Sequence, residues 1–158
     1  TGTLSLLGAD GAEVAALRFV GGNLADARAG RLQGTTAMFA LLERHQAQRF
    51  VFLNAGQASG DQRGASPVLP LLMEGMRRLD EFERAAAVAP DDARFAPAES
   101  KPSRLADETD REMMRAVWLR AVAGATPIEI EAEVSVDPFR VRRLFEYWLE
   151  EGSLLVAR

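Results

Sequence analysis

The chain predicts an α+β fold: a small antiparallel sheet with a packed helix, then a bridging helix, then a helical C-terminal domain. Three observations carry this. Residues 19–37 read as strand, tight turn, strand and helix start; residues 70–86 carry one apolar stripe at helical spacing; and Thr126-Pro127 and Asp137-Pro138 each mark a helix start. The expected organisation is a sheet domain over 1–56, a flexible connection over 57–69, a bridging amphipathic helix over 70–88, a linker over 89–104 and the C-terminal domain over 105–158.

In the first part, residues 1–8 read as a strand, and Ala9-Asp10-Gly11 as a turn into a second strand over 14–20. Gly21, Gly22 and Asn23 supply residues that reach positive φ cheaply, so the chain folds back into a third strand over 24–29. Strict alternation places Leu24, Asp26 and Arg28 on one face and Ala25, Ala27 and Ala29 on the other. Gly34 breaks the strand and Thr35 offers a hydroxyl cap to a helix bearing Met38, Leu41 and Leu42. The short apolar run Arg49-Phe50-Val51-Phe52-Leu53 reads as a buried strand.

Residues 54–67, rich in Gly, Ser, Gln and Ala, mark the expected hinge. Beyond it, Leu72, Gly75, Met76, Leu79, Phe82 and Ala86 share a helix face, with Glu74/Arg78, Arg77/Glu81 and Asp80/Arg84 spaced for ion pairing on its back. Three prolines and little apolar content over 90–102 suggest a linker. In the tail, Met114, Val117, Trp118, Ala121 and Val122 line one helix that ends before Gly124. Thr126, Pro127 and Glu129 form a capping-box signature for a short helix. Val141, Leu144, Phe145, Trp148 and Leu149 line a third helix that ends at Gly152, and residues 154–156 read as a strand. Helix, short helix, long helix and strand is the order of a winged helix-turn-helix unit.

Several of these segments together resemble a known family. Thr1-Gly2-Thr3-Leu4, then Phe19, Gly22, Leu24 and Ala27, then Gly34, Ala37, Leu41 and Leu42, then Phe50-Val51-Phe52 resemble the PATAN domain, a bacterial signalling module often described only as a domain of unknown function. Residues 71–82 are similar to the helix that commonly follows it, and residues 107–156 to the winged-helix-like tail many members carry. The resemblance implies regulation through protein contacts, as in parts of response regulators and of motility or development regulators. Members usually have a further helix before the first strand; this sequence starts after that point, and an exposed apolar groove is expected wherever the helix is missing, whether from the protein or only from this stretch of it. Many also place a Trp and a Gly where this chain has Arg44-His45-Gln46-Ala47-Gln48.

Composition bounds the chemistry. The 158 residues are 47% hydrophobic, enough for a real core, and the net charge of −4 gives no global attraction to nucleic acid or anionic lipid. The absence of cysteine excludes disulfides and thiolate chemistry and fits a reducing cytoplasm, the expected location. No run approaches a membrane span and no signal peptide opens the chain, although it begins at Thr1 rather than Met.

Candidate sites divide by chemistry. Arg140, Arg142 and Arg143 open the third tail helix, where a helix-turn-helix contacts DNA or a partner. Against DNA, residues 104–158 hold eight Arg and eleven Asp or Glu, and the final strand leaves no basic wing. Leu72, Met73, Met76 and Phe82 form an adaptable protein-binding or dimer surface where exposed. Trp118 and Trp148 fall on core positions. His45, the only histidine, has no nucleophile beside it and reads as a capping or packing residue. Asp26 pairs with Arg28 or a neighbour, and Gly21-Gly22 lacks the remainder of a phosphate loop. The expectation is therefore a non-enzymatic adaptor with a protein partner, no metal, no cofactor and no small-molecule substrate. A homodimer through an edge strand near Thr1 and the bridging helix is also expected. The alternative is a DNA-binding transcription regulator.

Overall fold

A computed structural model describes residues 1–44, 47–56, 64–99, 110–134 and 136–157. The protein is α+β and divides into two compact units, Thr1–Leu79 and Asp80–Arg158. The division falls inside the helix read above as a separate bridge.

The first unit contains β1 (Gly2–Leu7), β2 (Glu13–Val20), β3 (Asn23–Ala29), β4 (Leu32–Gln33), α1 (Gly34–Glu43), β5 (Arg49–Asn54), β6 (Ser66–Pro67) and the first part of α2 (Val68–Val88). The antiparallel sheet runs β4-β3-β2-β1-β5, with β6 on β3. Gly21 and Gly22, with φ of 56° and 79°, turn β2 into β3, and Val20 pairs directly with Asn23. Two successive left-handed residues match the twist of a tight hairpin. Asn23 is thus the first residue of β3 and not part of the turn.

A bulge alters the expected alternation. Arg18 pairs with Asp26 but Phe19 pairs with Leu24, so Ala25 is the extra residue. The parity flips there: Leu24 joins Ala27 and Ala29 on the core face with Leu17, while Asp26 and Arg28 face away. Ala37 and Met38 of α1 close this core from above. Gly34, at φ 62°, makes the bend into α1, but the N-cap is Gln33 without a side-chain bond, so Thr35 is not the cap.

Two further expectations change. β5 is a strand, but all six of its residues are exposed. It lies at the end of the sheet beyond β1, whereas α1 packs on β3 and β4. Consequently β1 is an interior strand and the edge near Thr1 does not exist. The connection over 57–69 is shorter than expected, because Ser66 and Pro67 pair with β3 and α2 starts at Val68. Residues 57–63 and His45 lie outside the described residues.

The second unit comprises the rest of α2, β7 (Phe95–Pro97), α3 (Arg111–Val122), α4 (Pro127–Glu133), α5 (Pro138–Glu151) and β8 (Leu154–Val156). Phe95, Met113, Met114, Val117, Ile130, Val141, Leu144, Phe145, Trp148 and Leu154 form its core. Trp118 meets Trp148 edge-on, with ring centroids 5.1 Å apart. The helix starts are built as their residues dictate. The Thr126 N–H donates to Glu129 Oε2 (2.8 Å) and the Glu129 N–H to Thr126 Oγ1 (3.4 Å), while Asp137 Oδ1 accepts from the Arg140 N–H (2.9 Å). Gly152, at φ 76°, ends α5.

The expected linker over 89–104 contains a strand. β7 pairs with β8, and Phe95 is buried with its ring 4.8 Å from that of Phe145. Among the described residues β8 pairs only with β7. No described helix is long and apolar enough to cross a membrane.

Candidate interaction site

The first turns of α2 present two apolar stripes. Val68 and Leu71 face the core of the first unit, and Gly75 is buried where α2 meets α1. A Cβ at Gly75 would collide with the end of the Leu42 side chain and sit 3.5 Å from Phe39 Cδ1, so the glycine lets the two helices approach closely. Arg78 secures the contact. Its Nε donates to Glu43 Oε1 (3.0 Å), its Nη2 lies 2.9 Å from the same oxygen, and its guanidinium stands 4.5 Å from the Phe39 ring centroid. Glu74, expected to pair with Arg78, instead binds Arg77 at 2.7 and 2.9 Å. The Arg77 hydrogen bonds hold the Glu74 carboxyl below the usual carboxylate range.

On the other side of α2, Leu69, Leu72, Met73 and Met76 repeat at helical spacing and are exposed, Met73 by 68% and Met76 by 53%. Together they leave about 400 Å² of apolar side chain in water, within the range at which a contiguous patch marks a contact site. Phe82, placed by the sequence on this surface, is only 5% exposed. It belongs to the inner stripe with Ala85, because its position on the helix turns it toward the second unit's interior.

The three arginines of the tail do not converge. Arg142 is fully buried, so it cannot be a DNA or partner contact. Its Nε donates to Glu131 Oε1 (2.5 Å), its Nη1 to the Ala89 carbonyl and its Nη2 to Asp91 Oδ1. Its guanidinium also lies 5.9 Å from the Phe82 ring centroid. One side chain thereby ties α5 to α4, to the end of α2 and to the turn after it. Arg140 approaches Asp110 at 3.9 Å, and Arg143 lies over the Phe139 ring at 5.5 Å. Arg84 reaches Glu146 at 3.4 Å.

The face of the sheet away from α1 carries an open depression of about 310 Å³ lined by Thr3, Glu13, Ala16, Arg18, Asp26 and Arg28. Asp26 pairs there with Arg28 at 3.4 Å. The Glu129 carboxyl is also held below its ordinary range, by the Thr126 backbone N–H; neither it nor Glu74 lines the depression. Among the described residues no cluster of three or more His, Asp or Glu is placed to hold a metal.

Sequence reasoning located Leu72, Met73 and Met76 but missed Leu69, which precedes Pro70 and lay outside the expected helix. It also missed the Arg142–Glu131–Asp91 clamp. The available signal was position: Arg142 falls between Val141 and Leu144 in the apolar face of α5, where a solvated arginine has no place. No family model, curated protein or solved structure matches the chain.

Proposed function

We propose that the chain is a non-enzymatic bacterial signalling module of the PATAN type, acting in the cytoplasm through protein contacts. The observation that carries this is the exposed ridge Leu69, Leu72, Met73 and Met76, mounted on a helix held in place by Gly75 and the buried Arg78–Glu43 pair. Rigid backbone beneath flexible thioethers suits a surface that accepts an apolar groove or an amphipathic helix of a partner. The module assembles as a homodimer and uses no cofactor, metal or small-molecule substrate.

The DNA-binding reading is weaker. With Arg142 committed to Glu131 and Asp91, only Arg140 and Arg143 remain at the start of α5, and Glu146, Glu150 and Glu151 follow on the same helix. A gel shift at low salt separates the readings. The adaptor reading expects no nanomolar, salt-sensitive binding, and such binding abolished by Arg140→Ala with Arg143→Ala would replace it with the DNA reading.

A further inference from the structure

Natural sheets blunt their edges with charges, prolines or covering elements. β5 does the opposite. It ends the sheet and presents four consecutive apolar residues: Phe50 is 72% exposed, and Val51, Phe52 and Leu53 are 44 to 63% exposed. Those side chains leave about 400 Å² open on each copy.

The backbone is arranged for pairing. The Ala55 N–H donates to the Thr1 carbonyl at 3.3 Å, and the Leu53 carbonyl oxygen lies 2.6 Å from where a Cβ on Gly2 would stand, so odd-numbered residues bond toward β1. In an antiparallel ladder the direction alternates, which aims the N–H and C=O of Phe50 and Phe52 at the outer edge of β5, where no described strand pairs.

Symmetry then selects the register. A two-fold axis normal to the sheet keeps the α1-covered face of both copies on one side, so paired residues share a face and the axis passes through a residue. Phe50 and Phe52, opposite Leu6 and Leu4 on β1, lie on that covered face; Val51 lies on the other. Centring on Val51 sets Phe50 against Phe52 of the second copy twice over, with about four backbone hydrogen bonds. Centring on Phe52 would instead set Phe50 against Asn54.

We propose that two copies of the chain join antiparallel through β5, with Val51 on the two-fold axis, into one continuous twelve-stranded sheet. The inference rests on the homodimer proposed above and assigns its surface. Complete burial of those side chains and of the backbone edge would cover about 1,000 Å², the lower bound for a specific interface, so the association is a weak, concentration-dependent one.

Light scattering and cysteine trapping test it, and the chain's lack of native cysteine makes the trapping clean. At a non-hydrogen-bonded pair the two Val51 Cα atoms stand about 4.5 Å apart, within disulfide reach. The expected results are an apparent mass that doubles with concentration, covalent dimer from Val51→Cys but not from Met73→Cys, and at least a tenfold weaker association in Phe50→Lys with an unchanged circular dichroism spectrum. A dimer that survives Phe50→Lys and is trapped by Met73→Cys overturns this surface and leaves the homodimer standing. A chain that stays monomeric into the hundreds of micromolar overturns both, without touching the partner contact at α2.

Discussion

Removal of the Arg142 side chain separates its structural role from any role in contact. Arg142→Ala takes the Arg142 guanidinium away from the Glu131 carboxylate, whose side chain is 6% exposed, and removes the donor to the Ala89 carbonyl. Breaking a buried, hydrogen-bonded ion pair from one side costs about 3–5 kcal/mol. A unit of this size has a total stability of about 4–12 kcal/mol, so the loss is a large share of the whole. Both tryptophans sit in this unit, and their fluorescence reports its unfolding. With a urea slope of about 1–1.5 kcal/mol per molar, the midpoint falls by at least about 2 M or the unit fails to fold. Arg142→Met combined with Glu131→Met removes both charges and recovers part of the loss, leaving about 1–3 kcal/mol for the unpaired Ala89 carbonyl. An Arg142→Ala unfolding free energy within about 0.5 kcal/mol of wild type would refute the clamp and restore Arg142 to the surface.

In Gly2→Ala, the new Cβ meets the Leu53 carbonyl oxygen and the Phe52 ring. We expect about 1–3 kcal/mol of destabilisation, seen as faster hydrogen exchange of β1 and β5 amides. Glu129→Ala removes one arm of the α4 capping box and lowers the melting temperature of the second unit at pH 7. The folded-state pKa of Glu129 lies below its unfolded value of 4.5. Its contribution is therefore complete above that pH and disappears as pH falls through the folded value, so melts of wild type and variant converge in acid. Met73→Glu with Met76→Glu changes stability by no more than about 0.5 kcal/mol in a thermal melt, because both side chains already lie in water.

Features decided within a few residues were legible in the sequence. The Gly21-Gly22 turn, the Thr126–Glu129 capping box, the Asp137 cap and the Gly152 terminus all depend on local backbone chemistry, and each stands where its residues placed it. What required the rest of the chain was not. The bulge at Ala25 is a property of two strands, and a three-residue strand containing Pro97 becomes a strand only when β8 arrives. The aromatics of β5 suggested burial, but burial depends on which half of the sheet α1 covers. On α2 the sequence merged two stripes into one, so Phe82 was grouped with Met73 although they face different surroundings. Arg142 shows the converse error, a charge assigned to solvent that the fold neutralises inside.

The most direct test of the adaptor account is capture from the native host on the immobilised chain. It compares wild type, Met73→Glu with Met76→Glu, and Arg140→Ala with Arg143→Ala, leaving Arg142 intact so that the fold is preserved. The account predicts a discrete protein retained by wild type and by the arginine variant and lost from the methionine variant. Retention by the methionine variant, or recovery of DNA alone that disappears in the arginine variant, would contradict it.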